Sequence, residues 1–263
     1  MIPSSRQFAS LTSDAVAALD PLTSVIVLPL GATEQHGPHL PLGTDTMIGQ
    51  TLISQTFEYL DPDIPALALA ALEISNSTEH EDALGTLSYG RTLTFELIIE
   101  LGRSLHRAGL KKLVILNAHG GNVGVMVDAA HALRAEFGML CAYTNWARLG
   151  LPPGTIDEER RGVDIHGGEI ETSIMLEARP DLVEMSERAD FESLQSHMSA
   201  DYELLRAYGP VGMGWMGTDL NPAGAVGNAQ AASAAKGRSI IAHQAQRAAR
   251  LIAEVSHYKP SWF

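Results

Sequence analysis

The sequence predicts an α/β fold, a mostly parallel central sheet covered by helices, and three observations carry that expectation. Short β-rich apolar runs recur along the chain. Each is followed by a polar or glycine-rich loop, and each loop leads into a segment with apolar residues at helical spacing. Folds of this kind place their chemistry beyond the carboxyl ends of the strands, and the two richest polar loops lie at that edge.

The elements follow in order. Residues 24–30 form a β-rich run ending at Gly31, where a polar, proline-containing loop begins. Thr44 or Asp45 can cap a helix over 46–60, whose stripe is Met47, Ile48, Leu52, Ile53 and Phe57. A second apolar run covers 66–74 and enters the polar stretch 75–80, and a helix is expected over 92–108. Residues 112–117 read as a strand, 118–121 as its loop, and Asn122 as the cap of a helix reaching 137. Residues 139–144 resemble one more strand. The stretch 145–168 is loop-rich, and a helix is expected over 169–178 directly after two glycines. Glycine-rich 208–224, containing Trp215, reads as a loop near an opening, and alanine-rich 225–255 as a long outer or interface helix.

The whole chain narrows the function classes. At 263 residues, with 45% apolar and 19% charged types, it can bury a large core, and no linker announces a second domain, so 1–263 is expected to be a single catalytic domain. Thirty-one acidic residues against 18 basic ones give a formal charge of −13, a field that repels phosphate backbones, so no nucleic-acid partner is expected. No apolar segment reaches secretory or membrane-spanning length, which predicts no membrane association and a cytoplasmic location. Cys141 is the only cysteine, which excludes an intramolecular disulfide and a multi-thiolate metal site; between Leu140 and Ala142 it reads as a buried structural thiol.

Chemistry is concentrated in three loops. Glu34-Gln35-His36 offers oxygen and imidazole ligands two positions apart, a spacing that can aim both at one centre when the backbone is extended, and Asp45 follows after a loop controlled by glycine and proline. Asn117-Ala118-His119-Gly120-Gly121-Asn122 puts His119 at a strand-to-helix connection where small residues allow close approach; a helix-capping turn with a hydrogen-bonded histidine is the plainer alternative. Asp164 to Ser173 is a third mixed nitrogen and oxygen cluster, in which Glu169 and Glu171 need not face the same way.

On these three segments together the chain resembles the creatininase family, the creatinine amidohydrolase-like proteins, over most of its length. The resemblance implies a three-layer α/β/α fold and a closed homo-oligomer, commonly a hexamer. It implies a hydrolase with two divalent metal ions, zinc foremost and manganese or iron as alternatives, with Asp45 bridging them and Glu34, His36 and His119 completing much of the coordination. Creatininase itself carries a metal-ligating glutamate two positions after the histidine matching His119, where this chain has Gly121. Relatives with this glycine-rich form carry a later carboxylate instead, which makes Glu169 the expected replacement, with Glu171 close enough to compete. Trp146 matches an aromatic residue near the creatininase substrate opening, where it could pack against a flat cyclic substrate; core packing is the alternative. Ser77-Thr78-Glu79-His80 matches a further polar loop of the family, and His80 could bind substrate, relay a proton or play a supporting structural role. His39 orients a ligand or stabilises its loop, and His106, His131, His197, His243 and His257 read as surface or packed residues.

The expected reaction is hydrolysis of a non-peptide carbon–nitrogen bond in a cyclic amide, small amide or formamide. Metal-activated water attacks the carbonyl, and His166 gives a proton to the departing nitrogen. A metallopeptidase of a small peptide is the enzymatic alternative, since the chain also looks like the family branch associated with maturation of the mycofactocin precursor; lactone or imine hydrolysis is a third. Outside catalysis, a metal-stabilised binding protein or a structural homo-oligomer would use the same residues without turnover.

Overall fold

A computed structural model of the chain describes residues 2–263. In chain order the elements are α1 (Ser13–Ala17), β1 (Val25–Leu30), α2 (Thr44–Tyr59), β2 (Ala66–Ala68), α3 (Gly90–Arg107), β3 (Lys112–Asn117), α4 (Val123–Phe137), β4 (Leu140–Asn145), α5 (Glu158–Arg161), α6 (Glu169–Ala178), β5 (Asp190–Phe191), α7 (Leu194–Asp201), α8 (Gly217–Leu220), β6 (Gly227–Asn228) and α9 (Ala234–His257). The main sheet runs β2-β1-β3-β4, every pair parallel, while β5 and β6 form a separate antiparallel ribbon.

Period-two alternation divides the strand side chains between two cores. Val25, Val27, Val114 and Leu116 face a layer built from α2, α6 and α9, where Ile48, Leu52, Ile174, Ile240, Ala248 and Ile252 are buried. Ile26, Leu28, Leu30, Leu113 and Ile115 face α3 and α4, against Ile98, Val125, Met126 and Leu133. Three layers result, as expected, with the sheet covered on both faces.

Three boundaries differ from the sequence reading. The second strand ends at Ala68 rather than running to 74, because Pro29 has no N–H to offer the neighbour on that side. Contact resumes only where Leu72 N donates to Pro29 O at 3.1 Å and Gly31 N to Leu72 O at 3.0 Å. The last long helix starts at Ala234 instead of 225: Gly227 has φ +132°, outside helical space, and the Ser233 hydroxyl caps the helix by accepting from Lys236 N. Asp45 is not a cap but lies in the first turn of α2 after Gly43, with its carboxylate near the positive end of the helix dipole. Cys141 is half-buried, and burial pushes its thiol up to about 12. Among the described residues no helix is long and apolar enough to cross a membrane.

Candidate metal and proton-transfer centre

The carboxyl ends of β1 and β3 and the first turns of α2 and α6 converge on one buried cluster. Glu34 and His36 lie in the loop after β1, His119 two residues after β3, and Asp45 and Glu171 at the starts of α2 and α6; all but Glu171 are almost wholly buried. The loop carrying His119 is locked by its two asparagines. Asn117 Oδ1 accepts from His119 N at 3.2 Å, and Asn122 Nδ2 reaches Gly31 O, Ser75 Oγ and Asn117 Oδ1 at 2.9–3.2 Å. Asn122 therefore ties β1 to β3 across the sheet edge instead of capping α4 with its side chain.

Hydrogen bonds on the outer side of each ring fix what the inner side offers. His36 Nδ1 is 3.1 Å from the Glu34 carbonyl oxygen, and His119 Nε2 is 2.9 Å from the Asn76 carbonyl oxygen; a carbonyl only accepts, so both nitrogens carry hydrogen. In the neutral ring the inner nitrogen is then a bare lone pair. His36 Nε2 points at Asp45 Oδ1 (3.3 Å) and Glu171 Oε2 (3.7 Å), and His119 Nδ1 at Glu34 Oε1 and Asp45 Oδ2 (3.2 Å each). Lone pairs facing carboxylate oxygens repel unless positive charge lies between them. In the metal-free chain, protons supply it. Burial opposes charging His36, yet Asp45, Glu171 and Glu34 raise its pKa to about 10; His119 is likewise raised well above its ordinary range by Glu34 and Asp45 against burial. Asp45, despite burial, is held well below the usual carboxylate range by the same two histidines, and burial pushes Glu171 upward.

The same atoms suit divalent cations. Both Glu34 carboxylate oxygens, His36 Nε2 and Asp45 Oδ2 are buried without a hydrogen-bond partner, a costly condition for a set that only neighbouring positive charge would relieve. Glu34, Asp45 and His119 form one group whose donor atoms all lie within 4.8 Å of one another, and His36, Asp45 and Glu171 form a second. Asp45 belongs to both and turns one oxygen to each histidine.

His166 and His80 lie alongside, their rings stacked with centroids 4.2 Å apart at 19°. His166 Nδ1 and His80 Nε2 are each 3.6 Å from Glu34 Oε1, and Glu34, His36 and His166 make a third close group. Burial and the neighbouring histidines His36 and His80 depress the His166 pKa well below its ordinary range; burial also lowers that of His80.

On α6 the two carboxylates point to different surroundings. Glu169 turns away from the cluster: its Oε1 pairs with Lys236 Nζ on α9, and Lys236 also donates to Ala231 O. Glu171 faces His36 instead and accepts from Gly167 N at 2.6 Å, so of the two carboxylates it is Glu171 that lies at the cluster. Trp146 is buried in the core, and its indole also lines a cavity of about 290 Å³ whose wall includes Ile48, Val123, Ile170, Ile174 and Glu171. His39 stabilises its loop: Nε2 is 2.9 Å from Thr172 Oγ1 and the ring stacks on Phe191. His106, His131, His197 and His257 are exposed and His243 half-buried.

Two residues of the centre were not singled out in the sequence. Gln35 touches both His80 and His166. Glu79 brings Oε1 within 3.5 Å of His119 Nε2 through space that Gly121 leaves open, since a Cβ there would collide with the Glu79 carboxylate. The missing side chain at Gly121 was the available signal that another carboxylate approaches.

The family model for creatininase, described as creatinine amidohydrolase, matches residues 9–252. The chain belongs to the creatininase family. It is an enzyme, a hydrolase of amidohydrolase type. A mycofactocin precursor peptide peptidase of Mycobacterium tuberculosis is 36% identical over 185 residues, covering 68% of this chain and 67% of the relative. The creatinine amidohydrolase of Pseudomonas putida is 28% identical over 186 residues, covering 63% and 68%. Among solved structures, a putative creatinine amidohydrolase from Bacteroides fragilis superposes with a TM-score of 0.78 at 24% identity over 98% of this chain and 99% of that one. A creatininase variant complexed with creatine superposes with a TM-score of 0.77 at 22% identity, over 95% and 98%. These two establish a shared fold.

Proposed function

We propose that this creatininase-family chain, as one catalytic unit over 1–263, hydrolyses an amide carbon–nitrogen bond with two divalent metal ions. Glu34, Asp45 and His119 would hold one and His36, Asp45 and Glu171 the other. The observation that carries the proposal is the pair of inward imidazole nitrogens, each left as the lone-pair nitrogen of the neutral ring because an outer carbonyl takes the other N–H, and each facing carboxylate oxygens at 3.2–3.3 Å. Zinc is the first choice for nitrogen and oxygen donors of this mix, with manganese or iron as alternatives; one solved creatininase of this fold is described as a Zn–Zn form and another as a manganese form.

When bound, such ions supply Lewis-acid activation of water and of the scissile carbonyl. The chain's own residues do the rest. His166 keeps a lone pair on Nδ1 toward the cluster and can take a proton from the attacking water and return it to the departing nitrogen. Burial of Glu34, His36 and Asp45 excludes bulk water from the reacting atoms. The cavity beside Glu171, apolar along Ile48, Val123, Ile170 and Ile174 and polar at Asn145, Arg148, Asp164 and Gln244, suits a substrate with a hydrocarbon or aromatic group next to its amide.

Small cyclic amides and formamides are the leading substrates; a small-peptide amide is the second reading, favoured by the 36% identity to the mycofactocin precursor peptide peptidase. Chelated protein should be inactive on every amide and regain turnover with Zn²⁺ or Mn²⁺, and full activity of metal-free protein would sink the proposal. Parallel assays on cyclic amides, formamides, lactones and short peptides choose the substrate, with cleavage of peptides alone deciding for the second reading.

A further inference from the structure

We propose that Gln35, the residue between the two ligands Glu34 and His36, is a positioning residue that fixes His80 with hydrogen on Nε2 and bare at Nδ1, so that the stacked histidines offer opposite groups to the substrate.

The orientation of the Gln35 amide is set by two backbone groups. Its Oε1 accepts from Gly37 N at 3.0 Å, and its Nε2 donates to Gly224 O at 2.8 Å; the flipped amide would oppose donor to donor and acceptor to acceptor at both. One Nε2 hydrogen remains. His80 Nδ1 lies 3.0 Å from Nε2 and must accept it, which leaves the His80 proton on Nε2, the nitrogen 3.6 Å from Glu34 Oε1 and facing the cluster. His166 Nε2 is 3.3 Å from the same amide nitrogen, whose two hydrogens are already placed. It is also 2.7 Å from Gln35 O and donates there, leaving Nδ1 bare toward the cluster. The backbone and side chain of one residue thus give the two rings the same tautomer. Because His166 approaches with Nδ1 and His80 with Nε2, one presents a lone pair and the other an N–H.

The surrounding loop is shaped around this amide. A side chain at Gly224 would collide with Gln35 Oε1, and a Cβ at Gly217 would lie 2.5 Å from His80 Nδ1 and 3.4 Å from Gln35 Nε2. Trp215 meets the His80 ring edge-on at 6.5 Å, closing the same side.

The chemistry then divides. A neutral imidazole whose only proton is on Nε2 donates a hydrogen bond without giving up the proton, which suits an oxygen that gains negative charge. His166 carries the proton: water loses O–H to Nδ1 as C–O forms, and the same proton moves to nitrogen as C–N breaks, so one water is added across the bond. The role of His80 toward substrate rests on the hydrolase reading above; its tautomer does not.

The test is ¹⁵N–¹H correlation spectroscopy of ¹⁵N-histidine-labelled, zinc-loaded protein, with His80 assigned by difference against His80→Gln and zinc measured per chain. Wild-type protein should show His80 with Nδ1 unprotonated and Nε2 protonated. Gln35→Leu should lose that single tautomer to a mixture with zinc content and the His166 signals retained, and Gln35→Glu, whose carboxylate oxygen replaces the donating Nε2, should place a proton on Nδ1. With any amide turned over, Gln35→Leu should lower kcat on the order of 10²-fold with little change in KM. A wild-type His80 protonated at Nδ1, or an unchanged His80 signature in both variants, overturns the proposal, and the wild-type spectrum decides alone if the variants do not fold. Wild-type protein that takes up no zinc yet shows the expected tautomer defeats the metal reading and leaves Gln35 where it is placed.

Discussion

Glu169 and Glu171 sit two positions apart on α6, so about 200° of helical rotation separates them and only one can face the cluster. Glu171→Gln keeps the shape but removes an anionic donor: one of two metals should be lost and turnover should fall about 100-fold or more, read by metal analysis and kinetics. Glu169→Gln should keep both metals. It removes the partner of Lys236, which is about a third exposed, and should cost about 1–3 kcal/mol in denaturant unfolding. Gly121→Ala is the complementary test. The new Cβ would collide with the Glu79 carboxylate, which can swing aside, and would also lie 2.5 Å from His119 Nε2, whose ring is held by the Asn76 carbonyl and must shift, so metal affinity should fall about 10-fold or more and the melting temperature should drop. Unchanged affinity in metal titration would mean that neither the Glu79 carboxylate nor the outer edge of the His119 ring bears on the metal site.

Between elements, the closest approach that matters to the centre is that of α9 on α6. A Cβ on Gly237 would run into the backbone carbonyl of Ser173, and backbone cannot swing aside as a carboxylate can. Gly237→Ala should therefore destabilise the fold by about 1–3 kcal/mol through overpacking. Because α6 carries Glu171 at its first turn, metal affinity should fall as well, although residue 237 touches no ligand. Chemical denaturation with metal titration of one preparation checks both, and a loss of stability with unaltered affinity would show that α6 shifts without moving its first turn.

For the whole molecule, the histidines proposed to hold metal are also those whose charge follows pH. In the metal-free chain His36 is raised from 6.5 to about 10 and His119 is raised well above 6.5. A folded-state pKa above the unfolded one stabilises fully below the unfolded value and loses that contribution as pH rises through the folded value. Metal-free protein should accordingly lose stability between about pH 6.5 and 10. Asp45, held low, acts in the opposite sense, contributing above about 3.8 and losing that only in strong acid. Ions compete with the protons on His36 and His119, so metal binding should release protons and tighten as pH rises. Thermal unfolding of chelated and loaded protein from pH 6 to 10 measures this: the gap in melting temperature should widen toward high pH, and a constant gap would show that protons and metal do not share these nitrogens.

The sequence by itself determined the layers and the place of most of the clustered side chains along the chain. Alternating Val25 to Leu30 and Leu113 to Leu116 specify strands buried on both faces, and local residue order places Glu34, His36 and His119 just past their ends. Periodicity and turn chemistry are local, so they can be read along the chain. Tertiary structure alone shows that Glu171 rather than Glu169 faces the cluster, because both lie in the same helical turn and only the position of Lys236 on α9 and of His36 in the loop after β1 tells them apart. It alone revealed Glu79 entering the space above Gly121, and Gln35 held between Gly37 and Gly224 with His80 and His166 on its amide. Apart from Gly37, those partners are 40 to 189 residues apart in sequence, and whether a glutamine or glutamate meets a histidine across such a distance depends on how sheet, helices and loops close together, which no local pattern encodes.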